Sequence, residues 1–214
     1  MKKSLFLSVF FIFSFAIWTI LICFIDVRAV GTMGTSVGFA AMNSWFFSVT
    51  GENLILYYIT DWLSLIPVFI MLGFAVLGLL QWIKRKKVLK VDFDIIALGV
   101  FYIAVLFLYL LFEELVINYR PILINGRLEA SYPSSTTLLV LSVMPTALIQ
   151  LKARLKRGAF KNIAQLTIVL FTAFMVISRL VSGVHWLSDI IGGALLSFGL
   201  IFLYNYIIAK RQKA

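Results

Sequence analysis

Apolar residues occur in six long runs along the chain, each close to the length of a helix that crosses a bilayer. A hydrocarbon core about 30 Å thick requires roughly 20 apolar helical residues. Counted as stretches without Asp, Glu, Lys or Arg, the runs predict spans at about 5–25, 62–83, 95–112, 134–151, 162–178 and 190–209. The sequence therefore predicts an all-α fold, a polytopic membrane protein with a six-transmembrane-helix bundle, in which 1–214 is a single integral membrane domain.

A seventh uncharged stretch, residues 29–51, is diluted by Gly, Ser and Thr. Such a composition is typical of an interfacial or re-entrant segment rather than of a span. The first run differs from a signal peptide because its 21 uncharged residues exceed the usual apolar region and no small-residue cleavage site follows. We therefore expect it to be retained as the first span.

The basic residues separate by side when the six spans alternate across a membrane. With a cytoplasmic N-terminus, all but four of the 19 Lys and Arg residues fall on the inner side, as the positive-inside rule requires. The four outer ones are Arg28, Arg120, Arg127 and Arg179. This asymmetry predicts a multi-pass protein of the cell membrane with both termini in the cytoplasm.

Composition narrows the function classes further. With 62% hydrophobic and 13% charged residues, the chain is unlike a soluble domain. One Cys and one His leave no internal disulfide and no zinc cluster. The net charge of +10 reports topology, and no nucleic-acid partner is expected because binding would need a basic face with stacking aromatic residues.

Ionisable residues at the outer ends of spans three to six carry the candidate chemistry, since such groups are costly near membrane depth. His185 and Asp189 are four residues apart, so on a helix the carboxylate can orient one imidazole nitrogen and leave the other as a nucleophile. Arg179, across a short Ser-Gly turn, can clamp phosphate oxygens bidentately. The alternative is a His at a helix end followed by an Asp that caps the helix.

Two weaker segments are predicted on the same side. Arg120 precedes Pro121, which we expect to stop the third span. Ser134 opens a Ser-Ser-Thr-Thr run suited to capping the fourth span, where free backbone N–H groups attract an anion. Taken alone, these are ordinary features of helix ends, and Arg127 and Glu129 are interpreted as anchors in the headgroup region.

The combination resembles the type 2 phosphatidic acid phosphatase (PAP2) family, a six-span membrane group related to vanadium haloperoxidases. The third motif of that family reads Ser-Arg, five residues, His, three residues, Asp. It is matched completely by Ser178, Arg179, His185 and Asp189. The resemblance covers the six-span layout and roughly residues 113–189.

The other two motifs of the family are matched only in part. The first reads Lys, six residues, Arg-Pro, and here Glu113 occupies the Lys position before Arg120. The second reads Pro-Ser-Gly-His, and after Ser134 the chain has Ser135 for the Gly and Thr136 for the His. The chain is thus identified as a divergent member with an intact third motif.

The resemblance implies a mechanism and a set of roles. His185 would attack phosphorus to give a phosphohistidine, Asp189 would orient it, and Arg120, Arg179 and Ser134 would hold the phosphate. No metal or other cofactor is implied. The expected partners are the bilayer and a membrane lipid phosphate bound at the outer face.

The missing second-motif His removes the expected general acid, which typically contributes about 10² to 10⁴ in rate. Glu113 is a candidate proton donor if burial keeps it protonated; Glu114, a tyrosine such as Tyr132 or water are alternatives. A lipid phosphate that leaves from a diphosphate needs less protonation than an alcohol, which slightly favours lipid diphosphates over phosphatidic acid.

Three functions are compatible with these residues: a membrane lipid phosphatase, a catalytically impaired lipid-phosphate binding or transport protein, and a lipid phosphoryl transferase. The pair of His185 and Asp189 favours the first and the third, because a binder has no need of an oriented imidazole. The missing His and Lys favour the second. The membrane lipid phosphatase is the preferred hypothesis.

Overall fold

A computed structural model describes residues 1–213, which fold into helices without any β-strand among them. Six helical units are long and apolar enough to cross a membrane. The helices are α1 Lys2–Phe24, α2 Ala40–Thr50, α3 Leu54–Leu63, α4 Leu65–Arg85, α5 Phe93–Glu114, α6 Ser135–Arg154, α7 Ala159–Val181 and α8 Leu187–Arg211. The predicted all-α membrane architecture with six spans is confirmed.

The second helical unit contains the predicted range 62–83 and begins before it. Helices α3 and α4 together cover Leu54–Arg85, and the Asn53 side chain caps the start of α3. A count of charge-free residues stops at Asp61. In the structure this residue lies within the helical unit, and its carboxylate pairs with Arg179.

The third span ends at Glu114, so Pro121 does not terminate it as expected. The chain then enters a loop that doubles back, in which the Arg120 N–H donates to the Glu129 carbonyl at 3.0 Å. Arg120 is therefore carried by this α5–α6 loop.

Helices α6 and α8 form the buried centre of the bundle, with α1 packed along α8 and α4, α5 and α7 against α6. Polar side chains join the two central helices. Gln150 Nε2 donates to the Tyr204 hydroxyl at 2.6 Å, and Ser142 Oγ donates to Ser197 Oγ at 3.4 Å. In an apolar surrounding, such hydrogen bonds hold helices together where water is not available to compete.

The uncharged segment 29–51 contains a single 3-10 turn, Thr32–Gly34, and the short helix α2. Its 11 residues make roughly 16 Å of helix, about half the hydrocarbon thickness, as expected of a segment that does not span. Asn43 ties α2 to the start of α8: Nδ2 donates to the Gly38 carbonyl at 2.8 Å and to Ser188 Oγ at 2.9 Å, while Oδ1 accepts from the Ser188 N–H at 3.1 Å.

An ion-pair cluster closes the end of the bundle where α5 begins. Asp92 accepts from Arg85 at 2.7 Å and from Arg154 at 3.2 Å, and Arg154 also contacts Asp94 at 2.6 Å. The hydrogen bond from Arg85 is the main reason that the pKa of Asp92 lies below its usual value. This cluster connects the α4–α5 turn to the end of α6. It lies at the start of α5, one helix length from the C-terminal end of that helix.

Candidate functional site

The completely matched motif lies at the turn between α7 and α8. Its members are Ser178, Arg179, His185 and Asp189. Within the turn, Gly183 has a φ of +70°, a conformation that residues with a Cβ adopt at a cost. A Cβ on Gly183 would also meet the backbone of Gly51. A glycine is therefore required where the turn crosses the segment before α3.

His185 presents one free nitrogen in a buried position. The residue is 3% exposed, and Nε2 has no hydrogen-bond partner within residues 1–213. Nδ1 lies 3.1 Å from the Ser131 carbonyl, which can only accept, so Nδ1 carries the proton and Nε2 keeps its lone pair. Burial lowers the pKa of His185 well below its usual value, and the charges of Arg120 and Arg179 lower it further. The imidazole is thus neutral at pH 7.

Asp189 lies beside the imidazole without being its hydrogen-bond partner. Its Oδ2 is 3.8 Å from Nδ1 of His185 and accepts from the Trp186 N–H at 2.9 Å, while Oδ1 accepts from Asn118 Nδ2 at 3.4 Å. In the part of the chain that the structure describes, Asp189 and His185 do not form the direct hydrogen bond that their spacing predicts. Helix α8 begins after His185, so the two side chains do not share a helical face. Ser131 holds the ring, and one oxygen of Asp189 caps the helix.

Arg179 and Arg120 reach the site from α7 and from the α5–α6 loop. They are 1% and 8% exposed. Arg179 Nη2 donates to Asp61 Oδ1 at 3.0 Å, and Arg120 Nε lies 3.1 Å from Glu129 Oε2. Nε of Arg179 and Nη1 of Arg120 are buried and have no partner in the part of the chain that the structure describes. Buried guanidinium N–H groups without partners are suited to an anion.

Arg120 and Arg179 line a cavity of about 490 Å³, whereas His185 and Asp189 are not among its lining residues. That volume is many times the roughly 30 Å³ share of one water molecule, which leaves room for a phosphate group and part of a headgroup. Besides the two guanidinium groups, its wall carries the carboxyl groups of Asp61, Glu113 and Glu129. The cavity thus combines fixed cations with carboxylates.

The remaining predicted site residues lie nearby in different settings. Glu113 lines the cavity at the end of α5 but stays exposed, which is less burial than the proton-donor hypothesis assumes. Ser134 is buried and caps α6, where its Oγ accepts from the Thr137 N–H at 3.4 Å and from the Thr137 hydroxyl at 3.0 Å. The next two residues, Ser135 and Thr136, contribute to the cavity wall, whereas Ser134 does not.

Sequence reasoning missed three residues of the site. Glu129 was interpreted as a headgroup anchor, yet it pairs with Arg120. Asp61 was not considered, although a lone carboxylate inside an apolar run is a signal of function. Tyr57, one turn before Asp61, has its ring 4.8 Å from Cζ of Arg179 and 5.7 Å from Cζ of Arg120, and no pattern in the sequence indicates this contact.

A helical bundle with six potential spans belongs to the class of polytopic membrane proteins, and in this bundle two buried arginines line a cavity. Residues 1–213 contain no group of three or more His, Cys, Asp or Glu side chains placed to hold a metal ion. The PAP2 superfamily matches residues 68–213, well over half of the chain. The chain therefore belongs to the PAP2 superfamily.

The fold is similar to that of the first transmembrane PAP2 type phosphatidylglycerolphosphate phosphatase from Bacillus subtilis, known from its crystal structure. The TM-score is 0.65 at 18% sequence identity, and the similarity covers 96% of this chain and 97% of that chain. At this identity the likeness concerns the fold. None of the curated protein sequences compared with the chain matches it significantly.

Proposed function

We propose that the chain is a lipid phosphatase that hydrolyses a phosphate or diphosphate ester at the outer face of the cell membrane. The chief support is the pair of buried guanidinium groups with unpartnered donors together with the free Nε2 of His185, which is close enough for the charges of both arginines to lower its pKa in addition to burial. A phosphate would satisfy Arg120 and Arg179 while its phosphorus meets the nitrogen lone pair. Membership of the PAP2 superfamily favours the same class of activity.

In the proposed reaction, Nε2 of His185 attacks phosphorus and an N–P bond forms as the bond to the lipid oxygen breaks. The departing oxygen takes up a proton. Water then attacks the phosphohistidine and releases inorganic phosphate, which restores the imidazole. Arg120 and Arg179 stabilise the charge on the non-bridging oxygens, and the Ser131 carbonyl keeps the proton on Nδ1 during the attack.

Ser134 contributes to phosphate binding indirectly in this proposal. It caps α6 and lets the first residues of that helix, Ser135 and Thr136, line the cavity. Backbone N–H groups at a helix N-terminus attract an anion. The cap therefore orients a third group of donors toward the same phosphate.

The proton for the leaving group is the demanding step, because Thr136 stands where the family motif has a histidine. Glu113 is the proposed donor, since its carboxyl lines the cavity together with Arg120. Activity that is unchanged across the pH range in both Glu113→Gln and Glu113→Lys would remove Glu113 from this role. A diphosphate, whose leaving group is a stable phosphate, needs less help, so lipid diphosphates are the proposed preferred substrates.

The deciding experiment is phosphate release from matched lipid monophosphates and diphosphates by purified wild type and His185→Ala. We expect release by wild type only, faster from the diphosphate, and a phosphohistidine that can be trapped in wild type alone. Binding of the lipids without release or trapping would instead support a lipid-phosphate binding protein. A trapped phosphohistidine that yields a phosphorylated lipid and no inorganic phosphate would support a transferase.

A further inference from the structure

We propose that Tyr57 is a positioning residue that sets the relative placement of the two arginines, an inference that rests on the proposed phosphate-binding role of Arg120 and Arg179. Two guanidinium groups directed into one cavity repel each other unless neighbouring groups offset their charges. Tyr57 is the aromatic ring that both of them meet. Its place in α3 puts it outside all three motifs that the family resemblance identifies.

The contacts of the ring meet the geometric requirement for cation–π attraction. Tyr57 is 7% exposed, and its ring centroid is 4.8 Å from Cζ of Arg179 and 5.7 Å from Cζ of Arg120. Both distances lie within the roughly 6 Å over which the negative face of an aromatic ring attracts a cation. The ring thus joins α3 to α7 and to the α5–α6 loop at one point.

Tyr57 also contacts the turn that carries the nucleophile. It forms an apolar cluster with Ile124 and Val184. Ile124 belongs to the loop that bears Arg120, and Val184 directly precedes His185 in the chain. Movement of the ring would therefore displace the nucleophile together with the two cations.

Two carboxylates complete the support of the arginines. Asp61, one helical turn after Tyr57, accepts from Arg179 Nη2 at 3.0 Å, and Glu129 lies 3.1 Å from Arg120 Nε. Nε of Arg179 and Nη1 of Arg120 stay without partners in residues 1–213. A cation–π contact needs no hydrogen-bond acceptor, so Tyr57 can hold both groups while these two donors stay open to a phosphate.

The test varies the electron density of the ring at constant shape and measures the affinity for inorganic phosphate. The variants are Tyr57→Phe, replacement of Tyr57 by a trifluorinated phenylalanine, and Tyr57→Leu, with Trp62→Leu as the control on an exposed aromatic residue of the same helix. We expect Tyr57→Phe and Trp62→Leu to bind within about twofold of wild type. The fluorinated ring should bind about tenfold more weakly than Phe, because its π face no longer attracts the two cations.

Equal phosphate affinity for the phenylalanine and its fluorinated form would overturn the inference, as would a loss in Trp62→Leu as large as that in Tyr57→Leu. Thermal unfolding of each variant in detergent separates these effects from misfolding, and the fluorinated pair remains informative even if Tyr57→Leu does not fold. If phosphate affinity follows the ring series while wild type releases no phosphate from any lipid, the proposed hydrolysis fails and the role of Tyr57 stands. If wild type binds no phosphate, both are wrong.

Discussion

Replacement of Gly183 by alanine should disable the site without changing any group that contacts the substrate. The φ of +70° at Gly183 costs a residue with a Cβ about 1–2 kcal/mol. The new Cβ would also press on the Gly51 carbonyl oxygen and lie 2.9 Å from its carbon and 3.0 Å from Cα of Glu52. These are backbone atoms that cannot rotate aside, and the Asn53 N–H is bonded to the Ser182 carbonyl at 2.9 Å.

The turn must therefore move away from the segment that it crosses. Non-bonded carbon atoms prefer separations of about 3.5–4.0 Å, so relief of this collision requires a shift on the order of 1 Å. A misplacement of that size in a reacting group costs on the order of 10²-fold in rate. Since His185 follows two residues later, we expect kcat/KM of Gly183→Ala to fall about 100-fold.

Gly126→Ala is the matched control. Gly126 has a φ of +74° but nothing within 4 Å of an added Cβ, so this variant carries the backbone strain without the collision. Phosphate release and thermal unfolding in detergent are measured for both variants. If Gly183→Ala keeps an activity within twofold of Gly126→Ala, the contact with residues 51–52 does not position the nucleophile and the reasoning is refuted.

Three further outcomes are expected. Thr136→His should restore a general acid and raise hydrolysis of a lipid monophosphate by at least tenfold, a larger gain than for a diphosphate. If the ratio of monophosphate to diphosphate hydrolysis in Thr136→His is equal to or lower than that in Thr136→Ala, the result argues against a missing proton donor. Because burial lowers the pKa of His185 and the nucleophile must be neutral, the acid limb of the kcat/KM profile should lie below pH 6.5, and a limb at or above that value would contradict the assignment. Asp92→Asn should lower Tm at pH 7 by the equivalent of about 1 kcal/mol or less. The folded-state pKa of Asp92 is lowered, so the stabilisation by its ionised form is present above the unfolded pKa of about 3.9 and is lost as pH falls through the folded value. The Tm difference between wild type and Asp92→Asn should therefore narrow below about pH 4. A Tm difference that is constant from pH 7 to 3 would exclude this ion pair as the cause.

The spans were predictable from sequence because the bilayer imposes a length on each apolar run. The one large difference is at the start of the second helical unit, which extends to Leu54 and so includes Asp61. The carboxylate of Asp61 pairs with Arg179, which lies 118 residues away in the chain. A count of charges along the sequence cannot predict a pairing between residues so far apart in the chain.

The candidate site could likewise be predicted from the sequence only in part. The spacing of the third motif predicts a short turn that brings Arg179 and His185 together, because all its members are local. The contacts that determine the chemistry are distant: the Ser131 carbonyl that holds the imidazole is 54 residues from His185. The placement of Tyr57 against both arginines likewise depends on the packing of α3 against α7.

The gap of 3.8 Å between Nδ1 of His185 and Oδ2 of Asp189 gives the site two electrostatic states. While the imidazole is neutral, it gains little from the neighbouring carboxylate and its Nδ1 proton stays with Ser131. A phosphoryl group on Nε2 would make the ring cationic, and the ionised form of the Asp189 carboxyl, 3.8 Å from Nδ1, would then attract it. Asp189 would then stabilise the covalent intermediate selectively and leave the resting nucleophile nearly unaffected.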